Sequence, residues 1–228
     1  MSGTNHDTKQ DFATIRRIVR ARKTAKVLAD PTAPLEFDDA TRARCDPLVR
    51  EAMVEAGWAP FHYKRAADDL SEPWRATLLW QRECRVIADR LDGWIGAEAP
   101  VGKLPAMFAA CGAAALVTWV PQFRDTDVTG PEQEKRRAVD DEHLAATAAL
   151  VQNALLLLTA AGFGTYWSSG GAALRHPDVL GRLGVAAHEE LLALLFVEYP
   201  GTPDDLPRKP GKNRDARSTD WLRETRLD

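Results

Sequence analysis

The sequence predicts an α+β domain, with several helices around a small mixed or antiparallel sheet. Three observations carry this expectation. Apolar, β-prone runs fit strands at Pro73–Trp80, Ala113–Val120 and Leu191–Tyr199. The intervening segments show helical spacing, the longest from about Glu132 to Ala161. Neither G-x-G-x-x-G nor G-x-x-x-x-G-K-[ST] is present, which argues against Rossmann and P-loop binding.

Taken in order, residues 1–10 are polar and read as a loose arm. From Asp11, a plausible N-cap, to about Arg22, the residues Phe12, Ile15, Ile18 and Val19 fall on one face of a helix. The prolines of Asp30-Pro31-Thr32-Ala33-Pro34 hold that stretch extended or turned. Asp38 or Asp39 caps a helix running to Gly57, with Leu48, Met53, Val54 and Ala56 as buried candidates and Pro47 breaking or restarting it. The stretch 59–65 is irregular. Gln81 to about Leu91 is helical, Pro121 stops the second strand, and residues 125–130 form a loop. Pro177 sits at the first position of a short helix ended by Gly181 or Gly184. The unbroken apolar run of the third strand implies that both its faces are covered. Residues 200–228 are rich in proline and charge and read as extended. The division is an arm at 1–10, one domain at 11–206 and a tail at 207–228.

Composition narrows the partners. At 228 residues and 45% hydrophobic content, the chain can bury one real core. A net charge of −3 gives nucleic acid no global support. Cys45, Cys84 and Cys111 form no C-x-x-C and are an odd count, which suits a reducing, cytoplasmic setting. The polar N-terminus lacks the apolar core of a secretion signal. The run from Leu144 to Gly162 approaches membrane-span length but contains Thr147, Gln152, Asn153 and Thr159. It is expected to be a buried helix, at a dimer interface, rather than a membrane span.

The segment with most chemical content is Arg22-Lys23-Thr24-Ala25-Lys26. At about 100° per residue Arg22 falls inside the apolar arc of the first helix, whereas Arg17 and Arg20 point away. A guanidinium on the core side is costly unless an anion meets it. In an extended chain Thr24 and Lys26 share a face, so arginine, hydroxyl and ammonium can converge on one ligand. The plainer alternative is a solvated basic face near a helix C-terminus.

Phe12-x-x-Ile15-x-x-Ile18 leading into Arg22–Lys26 resembles the opening motif of the nitroreductase family of FMN-dependent oxidoreductases, written Arg, basic, Ser/Thr, any residue, Arg/Lys. Three further segments follow in the family's order, so the resemblance covers most of the chain. Gly57-Trp58-Ala59-Pro60-Phe61-His62 with Glu72-Pro73-Trp74 is similar to its Ala-Pro loop and Gln-Pro-Trp strand start. Glu72 replaces the common glutamine, Leu70 stands where many members carry a flavin-contacting asparagine, and the spacing from His62 is longer than usual. The segments 162–171 and 207–212 complete the set. Taken alone, these three read as a surface loop, a helix-to-strand turn and a disordered basic tail.

The resemblance implies a nitroreductase-like fold and an FMN cofactor. Arg22, Lys23, Thr24 and Lys26 then cradle the flavin's phosphate, ribityl chain and pyrimidine edge. It places His62, Trp167, Ser168 and Ser169 against the ring, and Arg208 or, second, Lys209 at the phosphate. It further implies a homodimer with a flavin site shared between subunits, and hydride transfer from NAD(P)H through the flavin to an electron-poor acceptor of nitro, quinone or enone type. No side chain need be an essential acid or base, and no metal is implied. The alternatives are a flavin-binding or storage protein without turnover and, more remotely, a hydrolase using Ser168. Ser168 lacks the G-x-S-x-G setting, and His143, His176 and His188 lack metal-site spacing. Asp140-Asp141-Glu142-His143 reads as a solvated helix face.

Overall fold

The computed structural model describes residues 8–64, 70–123, 129–211, 218 and 220–225. Strands β1 (Ala25–Val27) and β6 (Arg208–Pro210) pair antiparallel as a short ribbon. Strands β2 (Trp74–Trp80), β3 (Ala113–Trp119), β4 (Gly164–Ser168) and β5 (Glu190–Glu198) form an antiparallel sheet in the order β2-β3-β5-β4. A parallel bridge between Thr24 and Thr165 joins ribbon to sheet, so the sheet system is mixed at this one seam.

Seven helices flank the sheet among the described residues: α1 (Thr8–Ala21), α2 (Asp39–Ala56), α3 (Gln81–Ile95), α4 (Leu104–Ala110), α5 (Pro131–Ala160), α6 (Gly171–Arg175) and α7 (Pro177–Arg182). Strand alternation assigns them to layers. Ala114 and Leu116 of β3, with Leu194 and Phe196 of β5, pack toward α3, α4 and α7. Ala115 and Val117, with Ala193 and Leu195, pack toward α2 and α5. The third strand is therefore covered on both faces, as its apolar run predicts. A register shift between Val117 and Thr118 lets Leu191 join the α3 side although its spacing from Leu194 is odd.

Several expectations need correction. The first helix starts at Thr8, three residues before Asp11. Pro47 does not break α2, which runs through it. The helix buries Cys45, Val49, Ala52, Met53 and Ala56, a continuous stripe whose burial outweighs the roughly 3 kcal/mol cost of an interior proline. Leu48 and Val54 lie off that stripe and are exposed. Asp38 is the cap, its carboxylate accepting the Thr41 N–H at 2.7 Å. Residues 164–168 are the edge strand β4 rather than a turn, and the tail returns to form β6. Asp140 and His143 are buried: Asp140 accepts the Gln122 and Phe123 N–H groups at 2.8 and 3.1 Å, and His143 Nε2 bonds the Tyr63 carbonyl at 3.2 Å. They fasten two loops to α5.

Among the described residues α5 is the one helix long and apolar enough to cross a bilayer. Its stripe of Ala146, Leu150, Val151, Ala154, Leu155 and Leu158 is packed into the protein core.

Beneath the sheet end, Tyr199 is buried between Phe37 and Phe163, and its hydroxyl donates to Asp46 at 2.5 Å. Burial and the Asp46 carboxylate push the phenol far above its usual titration range. Gly112 lies flat against this ring, and a methyl group there would overlap it. Gly112→Ala should therefore cost about 1–3 kcal/mol in urea unfolding. Gly93→Ala, within α3 where an added methyl meets nothing within 4 Å, should instead stabilise by about 0.5–1 kcal/mol.

Candidate active site

The β1–β6 ribbon collects most of the motif residues. Arg22 follows the last turn of α1, its N–H donating to the Ile18 carbonyl at 2.9 Å, and is half-buried. The helix arc was expected to face the core, yet α1 buries no residue; Phe12, Ile15 and Val19 are 68, 60 and 48% exposed. Lys23 is exposed, and Thr24 forms the bridge to Thr165. Thr24 and Lys26 share a face, as an extended chain dictates. The Lys26 ammonium lies over the Tyr166 ring, 5.0 Å from its centroid, and Tyr166 stacks on Phe196.

Register sets Lys26 opposite Lys209 and Val27 opposite Arg208. This ordering separates the two tail candidates. Arg208 turns inward: its guanidinium pairs with Glu198 at 2.6 Å and donates to the carbonyls of Pro203 and Asp204 at 2.9 and 3.0 Å. Glu198 is opposite Gly164, where an added methyl would collide with its carboxylate, so glycine makes room for the pair. Arg208 is thus a clamp on the ribbon, and Lys209 is the exposed cation of the two.

On β4, Trp167 is partly exposed on the α5 side and Ser168 is buried on the other. The Ser168 hydroxyl accepts the Gly170 N–H at 3.2 Å. His143 and His176 are engaged with Tyr63 and Glu98, so neither stands as a base for Ser168 and the hydrolase reading loses its geometry. Ser169 is exposed beside Gly170 and Gly171, whose φ values of 82° and 60° need glycine.

His62 is not brought to this cluster. Phe61 beside it packs edge-on to Trp74 at 5.4 Å, within the α2–α5 layer. Val27 and Tyr166 belong to the opposite layer. His62 instead lines a shallow depression with Pro60, Glu142 and Ala149. Two contributors carried no motif signal: Tyr166 beneath Lys26, and Lys103 at the start of α4. The neighbouring Lys209, then desolvation and last the charge of Lys26 hold the pKa of Lys103 below the ordinary lysine value. Lys212 lies outside the described residues.

No protein-family model and no curated protein matches the chain. Solved structures do. A nitroreductase-like family protein from Bacillus cereus is 21% identical, with a TM-score of 0.58 over 96% of this chain and 97% of the other. A nitroreductase with bound FMN from Desulfitobacterium hafniense is 14% identical, with a TM-score of 0.57 over 93% and 98%. An FMN and NADPH-dependent nitroreductase from Sphigopyxis sp. is 15% identical, with a TM-score of 0.51 over 92% and 99%. The chain has the nitroreductase-like fold.

If Arg208 and Glu198 act as one clamp, Arg208→Ala, Glu198→Gln and the double variant should be strongly non-additive. A double-mutant cycle on urea unfolding should give a coupling energy of about 0.5–3 kcal/mol. Additive losses would mean that the pair is a passive surface contact.

Proposed function

We propose that the protein is an FMN-dependent oxidoreductase that passes hydride from NAD(P)H to an electron-poor acceptor. The observation that carries this reading is the convergence of Thr24, Lys26 and Lys209 on one ribbon face, beside a strand flanked by glycines. The fold is one in which the Desulfitobacterium structure holds FMN and the Sphigopyxis protein uses FMN and NADPH. The residues suit such a group. The ammonium groups of Lys26 and Lys209 sit on neighbouring positions, ready for an anion. The Thr165 hydroxyl, buried without a hydrogen-bond partner, lies on the same side of β4 as Trp167.

FMN would supply the hydride chemistry; the protein supplies position and charge. Arg22, Lys26 and Lys209 provide cations, Thr24 a hydroxyl, and the backbone at Ser168 and Ser169, followed by Gly170 and Gly171, main-chain groups that a ligand can approach, with the Trp167 ring exposed beside them. Ion pairing fixes the ribbon, so these groups are held before any ligand arrives.

The assembly we infer is a homodimer. His62 and the Lys26 cluster lie in opposite layers, so one flat ligand touches both sets only if two chains contribute. A second copy also has a place to bind. The exposed face of α1 meets a groove formed by Ile15, Ile18, Leu156, Leu157 and Ala160. Trp58 and Val54, 85 and 67% exposed, extend the apolar surface.

The purified protein should be yellow and release one FMN per chain on denaturation. A colourless protein that fails to bind added FMN would falsify the reading. Arg22→Ala should weaken FMN binding at least about tenfold, or roughly 1.4 kcal/mol, by fluorescence quenching, while Arg17→Ala should stay within about 0.5 kcal/mol. Light scattering should report a dimer, and Ile15→Asp with Leu157→Asp should convert it to monomers that lose flavin. A native monomer retaining flavin would exclude the shared site.

A further inference from the structure

At the end of the sheet away from the β1–β6 ribbon, residues between Arg175 and Leu191 enclose a cavity of about 620 Å³. That volume is in the range of small-molecule sites and exceeds the roughly 360 Å³ depression beside His62. Glu190, which lines it, begins β5, whereas Glu198, which clamps the ribbon, ends it. At about 3.3 Å per residue the two places are roughly 25 Å apart.

The walls of the cavity are mostly apolar. Leu191 and Val185 are buried, and Leu180 comes from α7. Gly181 of the same helix also lines it, and a β-carbon there would meet nothing within 4 Å, so the space before it is open. The polar groups are few and unequal. Glu189 is half-buried, and its carboxylate is held at both oxygens. Oε2 accepts the hydroxyl of Thr118, itself buried, and Oε1 accepts the Ala186 N–H at 3.4 Å. The Glu189 N–H donates back to the Ala186 carbonyl at 3.0 Å, closing the turn that carries it.

A carboxylate has about four acceptor sites, so this one keeps capacity for a further donor. Both of its donors are neutral, and among the described residues no cation pairs with Glu189. Arg175, the cation of the lining, is exposed, so water screens its charge more than that of the recessed carboxylate. Glu190 adds a second carboxylate to the wall. An anion entering the cavity would meet two like charges. An ammonium would meet a fixed acceptor whose charge is not neutralised.

We propose that this cavity binds an organic cation, a small molecule with an apolar body and one ammonium group that pairs with Glu189. The body fills the space before Gly181, between Leu180, Val185 and Leu191, where burial of apolar surface supplies affinity. The charge-assisted bond to Glu189 supplies the choice of charge. Thr118 and Ala186 hold the carboxylate in place beforehand, which lowers the ordering cost of binding. The site uses none of the residues assigned to the flavin, so it stands or falls apart from the proposed function.

The test uses the whole chain and three probes that share one body: phenylbutylamine, phenylbutanol and phenylbutyrate, titrated by calorimetry. Wild type should bind the amine at least about tenfold more tightly than the carboxylate, with the alcohol between them. Glu189→Gln keeps an oxygen for Thr118 and removes the charge. It should weaken the amine about tenfold and leave the alcohol unchanged. Arg175→Ala, which removes the opposing charge, should tighten the amine about twofold. Gly181→Leu fills the cavity and should abolish binding of all three probes, while melting no lower than wild type because leucine is the better helix former. An amine that binds no more tightly than the carboxylate, or that binds Glu189→Gln or Gly181→Leu as well as wild type, would overturn the site. So would the absence of amine binding at millimolar concentration. The comparison of probe charges on wild type holds whether or not any variant folds.

Discussion

The candidate site depends on one ion pair, Arg208 with Glu198. The β1–β6 ribbon has only three residues per strand, too few to hold itself together in water. Among the described residues, one β-bridge, Thr24–Thr165, joins it to the main sheet. The clamp supplies what the ladder lacks: a charge-assisted bond at 2.6 Å, with the guanidinium also satisfying two turn carbonyls. The side chains are only 30 and 14% exposed, so losing either partner would strand a partly buried charge. Gly164 is the unseen third member, present because a side chain there would occupy the carboxylate's space. From this clamp follow the Lys26–Lys209 register, the position of the Thr24 hydroxyl and the approach of α4.

This arrangement explains which parts of the molecule were legible in the sequence. Hydrophobic periodicity located β2, β3, β5 and α5 because their burial is continuous along the chain, and local pattern reports local burial. It failed where a residue's environment is set by distant segments. Asp140 and His143 look like solvated helix charge, yet loops 18 and 80 residues away supply the N–H and carbonyl partners that let them be buried. Pro47 looks like a breaker because its cost is local, whereas the stripe that overrides it is paid by the whole α2–α5 layer. The motif arginine-basic-threonine-x-lysine runs into β1, one half of the ribbon. The division of labour between Arg208 and Lys209 could not be read from it, since which residue faces inward follows from strand register. Lys103 sits 77 residues from Lys26 in sequence, and no spacing rule joins them.

The first helix shows the same lesson in reverse. Its apolar arc was read correctly, and the arc is real. The error concerned what covers it, because amphipathicity reports that a face seeks burial and not whose surface provides it. In the single chain that face, Leu157 and Trp58 remain at the surface. Together with the separation of His62 from Lys26 across the sheet, they leave the residues of the proposed flavin site divided between two sides. In the homodimer proposed above, each half-site would be completed by the other copy.

Charge makes the final connection. The chain carries a net −3, so its three-lysine cluster is a local inversion of the overall field rather than part of a basic surface. Salt screens exposed charges beyond about 8–10 Å, so only an anion that enters the cluster gains from it. The sign of the Lys103 shift follows the same logic. Its folded-state pKa lies below the ordinary lysine value of 10.5, chiefly through Lys209, then desolvation and the charge of Lys26. The unfolded chain therefore binds the proton more readily, and as pH rises through the folded and then the unfolded value, repulsion is relieved and the free protein gains stability. In the flavin reading proposed above, anion affinity would move the other way, because the same deprotonation removes a donor charge. Like charges gathered where ribbon, sheet and α4 meet weaken the empty protein, a local conflict that folding alone would not favour.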